Sequence, residues 1–163
     1  MNIKFTKKAY ETIEKSSYFA SKLCSNITGT EHLLMALADD KTSVAGELLN
    51  KNGLTVKKII DILKRHTEVK YSEEDNGIKP PFTPRCERII RNSAQEAAKV
   101  GKTIVGTEHL LMSLLKEGSN CAVSILSKLG VSASDVLSDV VKAVSGNTDG
   151  RQHKDKQGEK SGK

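Results

Sequence analysis

The chain contains one seven-residue segment twice, without a single change. The sequence Gly-Thr-Glu-His-Leu-Leu-Met occupies residues 29–35 and again residues 106–112, which lie 77 positions further on. The same offset holds without a gap from residue 5 to residue 63, and 19 of these 59 aligned pairs are identical, whereas unrelated sequences would share roughly 6% of their positions. A long period that occurs only twice is typical of a duplicated small domain and not of a solenoid. We therefore expect two copies of any site that the domain has.

Each copy carries the signals of four helices. Thr6 and Thr83 stand where a threonine caps the first helix, and Pro84 occupies the first helical position of the second copy. Apolar residues then recur at helical spacing through both copies. Gly101 predicts the end of the first helix in the second copy, whereas the equivalent Cys24 leaves that ending open in the first copy. The sequence predicts an all-α fold of eight helices, four in each repeat.

The composition divides the chain into four segments. Residues 1–65 form the first repeat and residues 82–144 the second. Residues 66–81 between them contain an acidic run, a glycine and two prolines, which is the composition of a loop. Residues 145–163 contain no apolar side chain, so we expect a disordered linker or tail there.

The charge and the apolar pattern argue against several classes of protein. The net charge is +6, and the last 19 residues hold five basic and three acidic side chains, so the folded part is only mildly basic and nucleic-acid binding is not favoured. No apolar run approaches the roughly 20 residues of a membrane span, and the N-terminus has no apolar signal region. The three cysteines have no metal-ligand spacing and indicate reduced thiols in a cytoplasmic protein.

No residue pattern supports an enzyme. A Gly-Lys-Thr segment resembles the end of a P-loop, but Glu96 stands where the first P-loop glycine is needed. His32 and His109 do not follow the His-Glu-x-x-His order of a zinc peptidase. They could form a shared metal pair, but packing at a helix start with a bond to a neighbouring loop is favoured. Cys86 and Cys121 fall on apolar faces and are predicted to be core residues and not nucleophiles, so the sequence predicts no catalytic residue, metal or cofactor.

The glutamate of each repeated segment is the candidate binding residue. Glu31 and Glu108 lie in the first turn of a helix, where a carboxylate meets the helix dipole favourably and needs no ligand. The alternative is a pocket, because Thr6 and Glu31 are 25 residues apart and so are Thr83 and Glu108. If the two helix ends of one repeat meet, free amides could bind an anion and the carboxylate a cation. Such a pocket would suit a ligand that carries both charges on neighbouring atoms.

Three features together resemble a known family. They are the Phe-Thr openings at residues 5–6 and 82–83, the doubled Gly-Thr-Glu-His-Leu-Leu, and the Leu-Gly-Val at residues 129–131. By these features residues 3–144 resemble the Clp amino-terminal domain, the Clp repeat at the front of the Clp/Hsp100 AAA+ unfoldases, and are most similar to the ClpC type. The resemblance implies two four-helix repeats related by a pseudo-twofold axis.

The resemblance also implies a role and a ligand. Clp N-domains recruit client proteins and adaptors to an ATP-driven hexamer that threads proteins into the ClpP peptidase. ClpC-like domains bind phosphoarginine, the mark of proteins destined for degradation. Carried over, Glu31 and Glu108 would engage the guanidinium group, and Thr6 and Thr83, with nearby helix-start amides, would hold the phosphoryl group. The expected partners are arginine-phosphorylated clients and an adaptor, with a Clp ATPase ring and ClpP if the chain is part of a longer one.

One departure from symmetry and two rival functions stay open. Lys7-Lys8 stands where the second copy has Pro84-Arg85, so we expect the rim of the first pocket to differ. Within the same fold, the alternative is a free-standing Clp-repeat protein that acts as an adaptor or regulator and has no small-ligand site. From a different class, the rival is weak nucleic-acid binding through the basic tail.

Overall fold

The computed structural model describes residues 3–66, 72 and 77–145. Much of the predicted loop at 66–81 and all but the first residue of the predicted tail at 145–163 therefore lie outside the described residues. The described residues form eight α-helices: α1 (Lys7–Lys22), α2 (Thr30–Asp39), α3 (Val44–Lys51), α4 (Val56–His66), α5 (Pro84–Lys99), α6 (Thr107–Glu117), α7 (Cys121–Lys128) and α8 (Ala133–Val144). The predicted all-α fold with four helices in each repeat is confirmed.

Threonine caps begin both copies, as the sequence predicts. Thr6 Oγ1 accepts a hydrogen bond from the amide of Ala9 at 3.1 Å, and Thr83 Oγ1 accepts one from the amide of Cys86 at 3.1 Å. Each bond satisfies one amide of the first turn that has no partner within its own helix. The two hydroxyl groups therefore lie at the starts of α1 and α5.

Helices α1 and α5 also end in the same way, a point that the sequence leaves open. Gly101 follows α5 with a φ of 79°, the left-handed conformation that glycine adopts freely. Cys24 follows α1 with a φ of 59°, so it takes the same conformation in spite of its side chain. The amides of Ser25 and Lys102 close the two turns with hydrogen bonds of 2.9 Å. The duplication thus preserves the turn where it does not preserve the glycine.

The first two helices of each repeat pack antiparallel. Lys8, near the start of α1, pairs with Asp40, just after the end of α2, with 3.2 Å between Nζ and Oδ2. Arg85, near the start of α5, pairs with Glu117 at the end of α6, with 3.4 Å between Nε and Oε2. The start of the first helix therefore lies beside the end of the second helix and not beside its start.

Two short parallel bridges join one repeat to the other. Phe5 pairs with Val105, and Thr28 pairs with Phe82. These positions are equivalent under the 77-residue offset, so exchanging the repeats converts one bridge into the other. This exchange is what a pseudo-twofold axis requires, and the predicted relation between the repeats is confirmed.

One aliphatic core spans both repeats. Helix α2 packs against α7 and helix α6 against α3, so the core is shared across the duplication. The leucines that recur at helical spacing in α2 and α6 are fully buried: Leu33, Leu34, Leu37, Leu110, Leu111 and Leu114. Among the described residues, no single helix is long and apolar enough to cross a membrane, and α7 and α8 meet that test only as a pair bent by 111°.

Candidate ligand-binding sites

The two helix ends that carry the candidate residues of one repeat do not meet. Thr6 caps the start of α1, whereas Glu31 lies in the first turn of α2. Because these helices are antiparallel, the two starts lie at opposite ends of the pair. Helix α2 has 10 residues, and a helix of that length spans about 15 Å. The equal spacing of threonine and glutamate along the chain therefore does not make a pocket within one repeat.

The candidate residues come together across the repeats instead. The amide of Thr83 donates to the carbonyl of Thr28 at 3.0 Å, directly before the N-cap residue of α2. The amide of Thr6 donates to the carbonyl of Val105 at 2.8 Å, directly before the N-cap residue of α6. The parallel bridges thus bring Thr83 to the helix start that carries Glu31, and bring Thr6 to the start that carries the equivalent glutamate of the second repeat.

A third helix start completes each arrangement. Thr30 Oγ1 accepts a hydrogen bond from the amide of Ala122 in α7 at 3.3 Å. Thr107 Oγ1 accepts one from the amide of Ala45 in α3 at 3.3 Å. We call the starts of α2, α5 and α7 with Glu31 and Thr83 the Glu31 site. The starts of α6, α1 and α3 with Glu108 and Thr6 are the Glu108 site.

Both carboxylates fold back over the glycine that precedes their helix. A Cβ atom at Gly29 would lie 2.5 Å from Glu31 Oε1, and one at Gly106 would lie 2.4 Å from Glu108 Oε1. These distances are far below any van der Waals contact, so the glycine leaves the space that the carboxylate occupies. Glu31 is half-buried, whereas Glu108 is only 2% exposed. The repeated Gly-Thr-Glu triplet therefore places a carboxylate at the helix start.

The repeated histidine caps its own helix. His32 Nδ1 accepts a hydrogen bond from the amide of Gly29 at 2.9 Å, and His109 Nδ1 accepts one from the amide of Gly106 at 2.9 Å. An accepting nitrogen carries no proton, so this bond requires a neutral ring. The expected packing of the imidazole at a helix start is confirmed, although its partner is its own N-cap residue. Among the described residues, no group of three or more His, Cys, Asp or Glu side chains could hold a metal ion.

A cysteine is present at the Glu31 site and absent from the equivalent position of the Glu108 site. Cys121 begins α7 at the Glu31 site, and Val44 takes the equivalent place at the Glu108 site. Cys121 is exposed, so its predicted core position is wrong, whereas Cys86 is fully buried as predicted. The Cys121 residue is exposed as a whole, but loss of water around its sulfur and the neighbouring Glu31 carboxylate raise its pKa to about 11. Full burial and the same carboxylate raise the pKa of Cys86 to about 12. Both thiols therefore stay protonated near neutral pH and are poor nucleophiles.

An open apolar groove lies between α1 and α5, near the pseudo-twofold axis. Its volume is about 830 Å³. Two equivalent pairs, Phe5 with Phe82 and Ile13 with Ile90, line it together with Tyr10, which is 57% exposed. An apolar surface of this kind on a domain of this size is a feature of docking sites.

Sequence comparison assigns the fold to a family. The sequence model of the Clp repeat (R) N-terminal domain matches residues 4–129 and residues 104–159. The chain belongs to the Clp repeat N-terminal domain family. The resemblance of the repeats to Clp N-domains is thereby confirmed.

Curated relatives of this Clp N-domain are much longer proteins. Chaperone protein ClpC2 of Arabidopsis thaliana chloroplasts is 33% identical over 149 residues, which is 90% of this chain and 15% of that protein. The ClpA homologue of Porphyra purpurea, an ATP-binding subunit of the Clp protease, is 32% identical over 149 residues, or 90% of this chain and 18% of that protein. The chain thus spans about a sixth of the length of these relatives.

Solved structures share the fold at low sequence identity. The N-terminal domain of ClpD from Arabidopsis thaliana superposes with a TM-score of 0.71 at 21% identity, covering 88% of this chain and 96% of that one. The Hsp104 N-terminal domain from Candida albicans superposes with a TM-score of 0.65 at 15% identity, covering 85% and 90%. The fold is therefore that of Clp and Hsp104 N-domains.

We expect this Clp N-domain to lose stability as the pH falls below about 6.5. Burial holds the pKa of His32 below its ordinary value of 6.5, although the Glu31 carboxylate acts in the opposite direction. The unfolded chain therefore takes up the His32 proton at a higher pH than the folded chain does. Stability falls as the pH passes through 6.5 towards the lower pKa of the folded state. Protonation of Nδ1 also removes the bond to Gly29.

Thermal melting followed by CD between pH 7.5 and pH 5.5 measures this loss. Ordinary Asp and Glu side chains titrate below this range, at pKa values of about 4. We expect the melting temperature of His32→Asn to fall less between pH 7.5 and pH 5.5 than that of the wild type. The exposed His66 provides the matched control, and His66→Asn should show the same fall as the wild type. A wild-type melting temperature that stays constant over this range would contradict the assignment.

Proposed function

We propose that this Clp N-domain binds phosphoarginine side chains of client proteins, one at the Glu31 site and one at the Glu108 site. The observation that carries the proposal is the meeting of three helix starts around a carboxylate in each site. Helix starts offer free amides and the positive end of the dipole to an anion. The carboxylate supplies the complementary charge for a cation. The pair matches a ligand in which a phosphoryl group is bonded to a guanidinium group.

Different residues of each site would bind the guanidinium end and the phosphoryl end of this ligand. Glu31 and Glu108 would each accept paired hydrogen bonds from a guanidinium group. Thr6 and Thr83 accept from a helical amide through Oγ1, so their hydroxyl protons can donate to a phosphoryl oxygen. Unmodified arginine would satisfy only the carboxylate, and inorganic phosphate only the amides and the hydroxyl.

The biological role that we infer is recruitment. The domain would bring marked clients, and an adaptor protein, to a Clp AAA+ unfoldase for ATP-dependent unfolding and degradation by ClpP. It would perform no catalytic step itself, and the ATPase ring would supply the motor. Two sites on one domain would favour clients with several marks, through effective concentration. We place this activity in the cytoplasm because the three cysteines are free thiols, although curated relatives include chloroplast proteins.

Titration calorimetry with free phosphoarginine tests the proposal. We expect two binding events for each chain. Arginine and inorganic phosphate should each bind at least about tenfold more weakly, because each makes only half of the charge-assisted hydrogen bonds. Phosphoarginine that binds no more tightly than arginine would contradict the proposal.

The apolar groove favours a second candidate function, the docking of an apolar segment of an adaptor or client. The ClpV N-domain, whose fold is similar with a TM-score of 0.58, has been solved in complex with a VipB peptide. Lys7, Glu87 and Arg91 at the rim could pair with charges beside such a segment. Nucleic-acid binding through the basic tail gains no support, because that tail lies outside the described residues.

A labelled apolar peptide separates the two candidates. Tyr10 is exposed and lines the groove. Tyr10→Ser should therefore weaken binding of the peptide and leave the affinity for phosphoarginine unchanged. If phosphoarginine does not bind and the peptide binds in a Tyr10-dependent way, the second function replaces the first. If neither the peptide nor phosphoarginine binds, both candidates are wrong.

A further inference from the structure

Equivalent cations lie beside the two sites, and both are bound to acidic side chains. Lys8 and Arg85 each follow the capping threonine of their helix by two residues. The Lys8 ammonium group lies 3.2 Å from Asp40 Oδ2 and donates to Thr42 Oγ1 at 2.6 Å. Lys8 and Arg85 therefore both lie in the first turn of a helix that starts at a proposed phosphoryl site. The Lys8 ammonium group is nevertheless paired with the loop after α2.

The second repeat builds the same arrangement from different residues. The Arg85 guanidinium donates to the carbonyl of Ser119 and lies 3.4 Å from Glu117 Oε2. Lys8 corresponds to Arg85, and Asp40 corresponds to Glu117, under the 77-residue offset. All four side chains differ from their equivalents in length, but the pairing of a first-turn cation with an acid is the same. The two rims therefore carry the same charge at this position, and the difference that remains is Lys7, which stands where the second copy has Pro84.

Both ion pairs are partly exposed to solvent. The exposed fractions of the side chains are 49% for Lys8 and 30% for Asp40, and 47% for Arg85 and 19% for Glu117. Ion pairs with this exposure contribute little to stability. Hydrogen bonds from Thr42 and Lys8 hold the pKa of Asp40 below its ordinary value although burial alone would raise it, so this acid is ionised at neutral pH. Each cation could therefore leave its acid at a small cost if a stronger anion came near.

We propose that Lys8 and Arg85 are the phosphoryl counter-ions of the Glu108 site and the Glu31 site, and that Asp40 and Glu117 hold them until a ligand binds. The inference rests on the proposed function, since it assigns a second class of residue to the same sites. A phosphoryl group carries up to two negative charges and three acceptor oxygens, whereas each acid carries one charge. A phosphoryl group at the start of α1 or α5 therefore attracts the first-turn cation more strongly than the acid does. On binding, the cation exchanges the carboxylate for the phosphoryl group.

A positioning role for the same pairs predicts a different outcome. Asp40 lies just after the end of α2 and Glu117 is the last residue of α6, so each acid borders the loop that leads to the third helix of its repeat. The start of that helix contributes to the site. If the pair only fixed this loop, removing either partner would weaken the site. If the cation changes partner, removing the cation weakens binding, but removing the acid frees the cation and tightens binding. The signs of the two effects decide between the roles.

The test uses the Glu31→Ala background, in which only the Glu108 site remains. Lys8→Met should weaken phosphoarginine binding about tenfold, because one charge-assisted bond is lost. Lys8→Arg keeps the charge and should restore most of the affinity. Asp40→Asn, which keeps an acceptor for Thr42, should tighten binding about two- to fivefold. Calorimetry gives the affinities, and melting temperatures show that each variant folds.

A second probe separates this inference from the proposed function. Inorganic phosphate, followed by amide chemical shifts at the starts of α1 and α5, reports the phosphoryl half of the site alone. If phosphate binds with the same opposite effects of Lys8→Met and Asp40→Asn, but phosphoarginine binds no better than phosphate, the counter-ion role stands and the proposed function is wrong. If phosphoarginine binds at two sites but both variants weaken it, or neither changes it, the proposed function stands and the counter-ion role is wrong. If neither probe binds, both are overturned.

Discussion

Replacing Glu31 and Glu108 together with alanine should abolish phosphoarginine binding, with a loss of at least about 100-fold at each site. Each carboxylate is the acid that the proposed function assigns to the guanidinium group, and its loss would leave that cation without its partner. The fold should persist, because neither side chain belongs to the aliphatic core. Calorimetry measures the loss, and far-UV CD measures the helix content.

The exposed Glu11 provides the matched control for this pair of substitutions. It lies on α1 outside both sites, so Glu11→Ala should leave the phosphoarginine affinity at its wild-type value. Each single variant, Glu31→Ala or Glu108→Ala, should retain one site of wild-type affinity. Wild-type binding by the double variant would contradict the assignment of both carboxylates.

Combined threonine and glutamate substitutions test which residues share a site. Thr6 and Glu108 belong to one site although they come from different repeats. Thr6→Val with Glu108→Ala should therefore damage a single site and leave the other intact, whereas Thr6→Val with Glu31→Ala should damage both. Thr6→Ser keeps the helix cap and the hydroxyl and serves as the control. An intact site in the Thr6→Val, Glu31→Ala variant would show that the sites are formed within the repeats.

Gly106→Ala should weaken the Glu108 site by about ten- to a hundredfold while the domain stays folded. The new Cβ atom would lie 2.4 Å from Glu108 Oε1 and 2.9 Å from its Cδ, so the carboxylate must move away from the helix start. The backbone itself tolerates alanine, because the φ of Gly106 is −103°. Alanine is a poorer N-cap residue than glycine by about 1 kcal/mol, a loss that a domain stable by about 5–15 kcal/mol survives.

Gly29→Ala is the matched control for Gly106→Ala, because Gly29 is the equivalent residue of the other site. Gly29→Ala places a Cβ atom 2.5 Å from Glu31 Oε1 and should weaken the Glu31 site alone. Each variant should therefore keep one site of wild-type affinity, as measured by the stoichiometry and affinity in calorimetry. Two unchanged sites in Gly106→Ala would mean that the position of the carboxylate does not matter for binding, and would contradict the geometry proposed for the ligand.

The sequence carries a signal for two further residues of each site, the glycine and the threonine that precede the glutamate. Gly29 and Thr30 are identical to Gly106 and Thr107, and both pairs lie inside the unchanged seven-residue segment. That identity indicates that the glycine and threonine are constrained as strongly as the glutamate. It does not say by what, because the space for a carboxylate and the bond to another helix depend on atoms far away along the chain.

The sequence by itself determined the local structure of this protein. The caps at Thr6 and Thr83, the turn at Gly101 and the buried leucines each depend on a few neighbouring residues, and the structure has all of them. Helix periodicity and capping chemistry act over one or two turns, so a pattern in the sequence is sufficient to predict them. The duplication, read as an offset of 77, was also sufficient to predict two equivalent repeats.

Only the tertiary structure decided which helix ends meet and so form a candidate site. Equal spacing along the chain suggested Thr6 with Glu31, but the antiparallel packing of α1 and α2 separates them and the bridge to Val105 brings Thr6 to Glu108. The apolar pattern likewise placed Cys121 in the core, although it begins α7 at the surface of the Glu31 site. Such contacts join residues about 100 positions apart, and they are set by how whole helices share one core. No local pattern carries that information, which is why the two sites emerge only from the packed domain.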